Sequence, residues 1–496
     1  MNEPIPVDLL IAGGTALTMD PDNRLIEGGA VAVNQNTIVA VGPAAELQSI
    51  YAPKRVLDAT DKAILPGLVD TYGHAGHGLI KGVHHPELAW PSAQLYFHAT
   101  DEEWWYAEGL LSNLERLRFG VTCGFTVIGA TPARLDSPVF AERQALAVSE
   151  VGIRGVLGVG PPDPYIDHLP RPWSGTLWEN GQPINRPFSY EDTMRNCITV
   201  IEGWHHQSND RIQVALHFPY LFGRQAAHPR IPFVYTDDCV PAMIEKAEEM
   251  RDLADRYHVL LHTHAFKGSL VYGLEKFGLE RVRRLLAPGV VLAHCNGLAE
   301  AEIQILGEAG AGISVVPFTH ENILYGPCPV IELLRAGANV TISTDGTAPY
   351  CSYDLLKDIS RAIWTQWTRF EDQALLPPGK ALRMVTIDAA RALGLDHLIG
   401  SLEVGKRADI ILIDLARPHL TPSTNLPWQL VYYANGNDVD TVIVEGRILK
   451  EGGRVTSIDE RAVIERAREQ SARAFKRMDI SPYLKLTKNF WQGWRY

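Results

Sequence analysis

From about residue 62 onward, short apolar segments alternate eight times with amphipathic segments of helical period. This alternation predicts βα units around a parallel sheet, and eight units are the number that closes a barrel. We therefore predict an α/β fold whose main domain is a (β/α)8 barrel. The predicted strands are residues 63–72, 121–128, 153–159, 212–218, 259–266, 290–295, 313–317 and 340–344.

The two ends of the chain have a different sequence pattern, which predicts short strands separated by tight turns. Gly13-Gly14 and Gly28-Gly29 mark such turns near the start, and the pattern returns after residue 400. We predict that residues 1–61 and 400–455 build one small composite β-sandwich, beside a barrel of residues 62–399. Residues 456–496 are predicted to form a C-terminal helix and an aromatic tail, which packs on the same chain or on a neighbouring subunit.

Charge and cysteine usage exclude several classes of protein. The chain has 46 Lys and Arg against 58 Asp and Glu, a formal charge of −12, which argues against binding nucleic acid or an anionic membrane. The six cysteines are scattered, so a disulfide framework is not expected, and no apolar run is long enough for a membrane span. We expect a cytoplasmic homo-oligomer that acts on a small molecule.

Side chains that can bind metals follow several of the predicted barrel strands. The active sites of such barrels lie at the carboxyl ends of the strands, so these side chains are aimed at one mouth. Imidazole and carboxylate groups gathered there would need an ion or a partner network, and they suit zinc, iron, manganese or cobalt. The residues concerned are Tyr72, His74, His217, His264, His294 and Asp345.

Several of these segments resemble motifs of the amidohydrolase superfamily, in its cytosine-deaminase and chlorohydrolase branch. Residues 65–71 (Leu-Pro-Gly-Leu-Val-Asp-Thr) are similar to the motif of strand one, and residues 216–220 (Leu-His-Phe-Pro-Tyr) to that of strand four. Residues 292–295 and 343–346 match the motifs of strands six and eight, and residues 400–410 match the composite domain. The resemblance runs from about residue 7 to 450, and it implies a hydrolase acting on carbon–nitrogen bonds other than peptide bonds.

The resemblance also implies a set of metal ligands. His74, His264 and Asp345 would hold one divalent metal and leave a position open for water, as catalytic sites require. The dinuclear branch of the superfamily uses a carboxylated lysine from strand four, and residues 211–222 contain no lysine. Zinc is our first choice, with iron, cobalt and manganese as alternatives. His294 would be a fourth ligand or a neighbour of the ligands.

Two positions depart from the family pattern. Tyr72 stands where the first histidine of His-x-His is expected, and we leave open whether it binds the metal or only fills the space. Lys267 stands where deaminases of this branch have a glutamate that protonates the heterocycle, and an ammonium cannot both donate and accept as a carboxyl group does. We predict that Lys267, His217, Thr319 and His320 line the substrate pocket.

From these residues we predict hydrolysis of a carbon–nitrogen bond in a small neutral amide, urea or carbamate. Lys267 weighs against a nucleobase deaminase, and the altered strand-one motif resembles that of phenylurea and molinate hydrolases. Metal-bound water would be the nucleophile, Asp345 the general base, and His294 the group that stabilises the oxyanion. The alternative is an aminohydrolase or dechlorinase of a heterocycle such as a triazine or pterin. A third hypothesis is a catalytically decayed protein that binds a small molecule.

Overall fold

The computed structural model describes residues 3–85, 87–88, 90–129, 133–163, 172–179, 181–223, 236–318, 326–349 and 351–492. Its strands belong to two large sheets and one hairpin. The strands are β1 Ile5–Leu17, β2 Leu25–Asn34, β3 Thr37–Pro43, β4 Tyr51–Asp58, β5 Lys62–Pro66, β6 Leu68–Asp70, β7 Val121–Val127, β8 Arg154–Val159, β9 Ser174–Glu179, β10 Gln182–Pro187, β11 Ile212–His217, β12 Leu261–Phe266, β13 Val290–Asn296, β14 Gly312–Val315, β15 Asn339–Ile342, β16 Ile410–Asp414, β17 Val439–Val444, β18 Arg447–Glu451 and β19 Arg454–Val455.

Eight parallel strands form the barrel, in the order β15-β14-β13-β12-β11-β8-β7-β6. The first and last strands of this sheet approach each other where Asp345 N donates to Tyr72 O at 3.0 Å, just beyond the ends of β15 and β6. The strands are apolar and buried, as parallel strands covered by helices must be. The predicted (β/α)8 barrel is confirmed.

Helices cover the outside of this barrel. At least one helix follows each barrel strand in the chain, so the βα order expected from the sequence is preserved. The helices include Ser92–Ala99, Glu102–Arg118, Val139–Val151, Tyr190–Trp204, Val240–Tyr257, Ser269–Phe277, Leu279–Leu285, Glu300–Ala309, Val330–Arg335, Leu355–Phe370, Pro378–Arg383 and Ile387–Ala392. The short helices Ala44–Ile50 and Leu426–Tyr432 and the longer helix Glu460–Arg477 lie near the chain ends.

The prediction of one continuous first barrel strand over residues 63–72 is wrong. The segment is divided at Gly67, so that β5 pairs with β16 in the second sheet and β6 pairs with β7 in the barrel. Gly67 N donates to Asp409 O at 2.9 Å, and a Cβ at this position would lie 2.0 Å from Thr122 Oγ1. The close approach therefore requires glycine, and the chain changes sheets there.

Both chain ends contribute to the second sheet, whose strand order is β19-β18-β17-β16-β5-β1-β2-β3, with β4 paired to β1. These strands hydrogen-bond as one nine-stranded sheet. The bounds of the composite β-sandwich, residues 1–61 and 400–455, stay a prediction. A buried ion network joins this sheet to the barrel. Arg154 on β8 donates to Asp409 at 2.7 Å and to Glu445 at 2.9 Å, and all three side chains are buried.

The C-terminal helix Glu460–Arg477 packs against the helix Glu102–Arg118. Arg473 and Arg477 both donate to the Asp101 carboxylate, which also caps the helix Glu102–Arg118 by accepting from Trp104 N. In the tail beyond, Phe490 and Trp491 are 52% and 88% exposed.

Among the described residues, no helix combines the length and the apolar character needed to cross a membrane.

Candidate active site

The hydroxyl of Tyr72 lies at the centre of the barrel mouth, between two histidines. Tyr72 Oη is 2.6 Å from His74 Nε2 and 2.7 Å from His264 Nε2. All three side chains are buried, at the ends of the first and fifth barrel strands. Tyr72 therefore occupies the place at which both imidazoles point.

The other nitrogen of each imidazole is bound to a backbone carbonyl. His74 Nδ1 lies 2.7 Å from Gly129 O, and His264 Nδ1 lies 2.9 Å from Pro219 O. A carbonyl oxygen only accepts, so each Nδ1 carries the hydrogen, and Nε2 of the neutral ring presents a lone pair. This is the tautomer that metal-binding histidines adopt. Burial lowers the pKa of His74 to about 4, which keeps its ring neutral.

Asp345 brings a carboxylate to the same place. Its Oδ1 lies 3.3 Å from His74 Nε2, and its Oδ2 lies 3.9 Å from His294 Nε2. Burial raises the pKa of Asp345 to about 7, while the bond from Gly346 N to Oδ1 acts in the opposite direction. The group can thus hold or release a proton near neutral pH.

Hydrogen bonds behind the site fix the backbone that carries these groups. The buried Asp70 carboxylate accepts from Thr344 N at 3.1 Å and from Thr344 Oγ1 at 2.8 Å, next to Asp345. Tyr353 Oη donates to the His74 carbonyl at 3.0 Å. Such supporting bonds limit the freedom of the side chains that face the mouth.

The backbone conformation marks His294 and Asp345 as constrained positions. The φ angles of His294, Cys295 and Asp345 are +70°, +51° and +63°, in the left-handed region that residues other than glycine rarely adopt. At His294 the pairing of β12 and β13 also shifts by one residue. Strain of this kind persists where surrounding structure enforces it, and it is concentrated at functional sites.

His294 belongs to a stack of rings. Its ring lies 5.3 Å from that of His264 with an interplanar angle of 15°, and 5.0 Å from that of Phe266 with an angle of 20°. The stack holds His294 beside the site, with its Nε2 near the Asp345 carboxylate.

His217 and His262 form a buried pair beneath the mouth. Their Nδ1 atoms lie 3.0 Å apart, and neither Nε2 has a hydrogen-bond partner in the described part of the chain. His262 stacks on Tyr72 at 4.8 Å, and His217 lies 5.3 Å from His264. His262 was not among the predicted site residues, although its spacing of two residues from His264 on one strand places both on the same face.

These residues fit a divalent metal only if Tyr72 is included. Within the residues that the structure describes, no three His, Cys, Asp or Glu side chains are placed to hold an ion by themselves. The phenol oxygen, however, faces two lone pairs, and one hydroxyl hydrogen cannot satisfy both. Two Nδ1-protonated imidazoles, a carboxylate and a phenol oxygen form a donor set suited to zinc and related metals.

Of the remaining candidates from the sequence, Lys267 is not part of this cluster. Lys267 is exposed, beyond the end of β12. Thr319 and His320 lie outside the described residues. The contact of these three residues with substrate stays a prediction.

Known proteins resemble this chain over nearly its whole length. The model of the amidohydrolase family matches residues 63–449. The 5-methylthioadenosine/S-adenosylhomocysteine deaminase of Syntrophobacter fumaroxidans is 30% identical over 470 residues, which cover 93% of this chain and 97% of the relative. The 5'-deoxyadenosine deaminase of Methanosarcina mazei is 29% identical, covering 95% of this chain and 99% of the relative.

Solved structures agree with these matches. A zinc-bound adenosine deaminase from Xanthomonas campestris superposes with a TM-score of 0.78 at 26% identity, covering 95% of this chain and 100% of its own. The atrazine chlorohydrolase of Arthrobacter aurescens has a TM-score of 0.74 at 21% identity, covering 93% and 100% respectively, which bears on the fold alone.

Proposed function

Because this chain belongs to the amidohydrolase family, and is thus a hydrolase acting on carbon–nitrogen bonds, we propose that it removes an amino group from a neutral aromatic heterocycle. Of our sequence hypotheses this is the alternative, and it now takes precedence over an amide, urea or carbamate substrate. The observation that carries it is the likeness to deaminases of adenosine derivatives along more than nine-tenths of the chain. The third hypothesis, a decayed binding protein, is disfavoured because His74, His264, His294 and Asp345 remain together.

We propose that one divalent metal, with zinc as first choice, is held by His74, His264, Asp345 and the phenol oxygen of Tyr72. This agrees with the meeting of two lone pairs at Tyr72 Oη and with the nearby carboxylate. When bound, such a metal lowers the pKa of a water ligand toward neutrality.

Asp345 would transfer protons during the reaction, and His294 would stabilise the negative charge on the attacking oxygen. Asp345 takes a proton from the attacking water and delivers it to the leaving nitrogen, acting first as base and then as acid. His294, on the other side of the Asp345 carboxylate, donates a hydrogen bond to the oxygen that joins the ring carbon. Its left-handed backbone and its ring stack hold it in place before substrate arrives.

The residue at the position of the family's glutamate cannot protonate the heterocycle here as the glutamate does. Its counterpart Lys267 is exposed, whereas the metal-binding cluster is buried. A group elsewhere in the mouth must therefore hydrogen-bond the ring nitrogen of the heterocycle.

The test compares the release of ammonia from aminoheterocycles with the release of an amine from amides and ureas. Purified, zinc-loaded protein is incubated with 5'-methylthioadenosine, S-adenosylhomocysteine, 5'-deoxyadenosine, adenosine and guanine, and separately with an anilide and an N,N-dialkylated phenylurea. Ammonia release from at least one aminoheterocycle is expected. Amine release from the anilide or phenylurea, without any ammonia, would return the amide and urea hypothesis to first place. A metal-loaded protein inactive on every compound would favour the decayed binder.

The cytoplasmic location and the homo-oligomeric state expected from the sequence stay predictions. So does the absence of nucleic-acid and membrane partners.

A further inference from the structure

His77 lies on the loop after β6, against the metal-binding cluster. Its ring is 4% exposed and stacks on the His74 ring at 5.0 Å with an angle of 12°, and the edge of Trp90 lies 4.8 Å away. Its Nδ1 accepts from Ala348 N at 3.3 Å. A Cβ at Gly346 would lie 2.0 Å from His77 Nδ1, so the glycine after the catalytic aspartate makes room for this ring.

The hydrogen bond to Nδ1 decides where the His77 hydrogen is. A nitrogen that accepts from a backbone N–H carries no hydrogen, so the hydrogen is on Nε2. That Nε2–H is buried and has no partner among the residues described. The same is true of Trp90 Nε1–H beside it and of the Thr347 hydroxyl next to Ala348. Buried donors without partners are rare in native proteins, and three of them at one side of an active site call for a ligand.

A buried histidine without a partner is not by itself a site, as His205 shows. His205 Nδ1 also accepts a backbone bond, from Val214 N at 3.1 Å, and its Nε2 is also buried and unpartnered. It lies just before β11, at the amino end of the barrel strands. His77 differs because it lies at the carboxyl ends, in contact with His74 and Gly346. The position, together with the neighbouring unpaired donors, points to substrate.

We propose that His77 Nε2–H, together with Trp90 Nε1–H, hydrogen-bonds an acceptor atom of the heterocycle, a ring nitrogen or an exocyclic oxygen close to the carbon under attack. This rests on the proposed function and deepens it. This hydrogen bond withdraws electron density from the heterocycle and holds the heterocycle over the site. The hydrogen stays on His77, and the leaving nitrogen receives its proton from Asp345. Substrates that present an acceptor there are selected over those that present an N–H.

The first test replaces the donor and keeps the ring. His77→Phe preserves the aromatic stack and removes the N–H, whereas His77→Gln restores an N–H donor. With the best substrate of the ammonia assay, we expect His77→Phe to lower kcat/KM by about 10- to 100-fold, since a buried acceptor loses its partner. His77→Gln should recover part of the loss. Metal content, measured by mass spectrometry, should be unchanged in both.

The control is His205→Phe, which removes another N–H without a partner among the described residues, on a partly buried ring at the other end of the barrel. It should leave kcat/KM unchanged. If His77→Phe does not fold, Trp90→Phe removes the neighbouring donor and should show the same kind of loss.

The second test identifies the acceptor. Analogues of the substrate in which single ring nitrogens are replaced by C–H are compared in wild type and His77→Phe. One analogue should lack the nitrogen that accepts from His77. Its kcat/KM should be lower than that of the substrate in wild type but not in His77→Phe, because the variant has already lost that hydrogen bond. Equal losses in both proteins for every analogue would overturn the proposal. Unchanged kinetics of His77→Phe in an active enzyme would overturn it while leaving the proposed function intact, whereas a wild type that releases no ammonia would overturn both.

Discussion

The phenol of Tyr72 contacts two imidazole nitrogens that both carry lone pairs, and this residue-scale conflict is resolved if a cation lies among them. Tyr72→Phe should therefore weaken metal binding by at least the roughly 10- to 100-fold typical of lost supporting contacts. The measurement is zinc competition against a chelator, together with the ultraviolet change of tyrosine ionisation when zinc is added to the metal-free protein.

Tyr353→Phe is the control, because it also removes a buried hydroxyl bonded to His74, but through the main-chain carbonyl. It should weaken zinc binding less than Tyr72→Phe does, because no oxygen that faces the two imidazoles is lost. Equal affinity in Tyr72→Phe would make the tyrosine a space-filler. Tyr72→His, which restores the family motif, should bind zinc at least as tightly as wild type.

Asp345 carries the proton in the proposed reaction, and its loss should be severe. Asp345→Asn keeps the shape and the acceptor for Gly346 N, but it cannot take a proton from water. Because general-base catalysis contributes about 10² to 10⁴ in rate, kcat should fall by that factor while the thermal unfolding midpoint stays close to wild type. Turnover within a few-fold of wild type would dismiss Asp345 as the base.

Site residues could be predicted from the sequence where they lie at the end of a predicted barrel strand. His74, His264, His294 and Asp345 follow apolar strands, and parallel strands of a barrel end at one mouth. The roles of Tyr72 and His77 could not be predicted in the same way. They depend on which ring nitrogen carries hydrogen, and thus on backbone carbonyl and amide groups that are distant in sequence.

The elements of the barrel were predictable because strand and helix patterns alternate, but the break at Gly67 was not. Residues 63–72 read as one apolar run, and both halves are buried. The division depends on Thr122 and Asp409, which approach Gly67 only in the folded chain. Periodicity alone contains no signal for such a contact.

Asp101 stabilises two helices at once. It caps the helix Glu102–Arg118 and accepts from two arginines of the C-terminal helix Glu460–Arg477. Asp101→Ala should lose both contributions, a cap worth about 0.5–2 kcal/mol and the ion pairs in addition. Asp101→Asn keeps a capping oxygen, so it should be destabilised less, as measured by urea unfolding. Equal stability of the two variants would show that the cap contributes nothing.

On the scale of the whole molecule, the network around Arg154 fastens the barrel to the nine-stranded sheet. Arg154→Met fills a similar volume but leaves the Asp409 carboxylate buried without its arginine, and it leaves Glu445 with only the longer contact to Arg211 at 3.8 Å. Breaking a buried pair in this way costs about 3–5 kcal/mol, which equilibrium denaturation should detect. The exposed pair of Arg55 and Glu451 offers a control in the same sheet, since Arg55→Met should change stability little. Similar effects of both changes would contradict a special role for the network.

The second sheet combines strands from both ends of the chain, so its strands cannot all pair until the C-terminal strands have been synthesised. Strand β5 pairs with β16 along its outer edge, Pro66 opposite Ile410 and Lys62 opposite Asp414. On the ribosome, the edge of β5 must wait for the entire barrel to be synthesised before its partner emerges. At ~5–20 residues per second, this wait is on the order of tens of seconds. Unpaired strand edges promote aggregation, so a chain whose translation stops before Ile410 keeps that edge open permanently, and truncated products should accumulate as aggregates or be degraded.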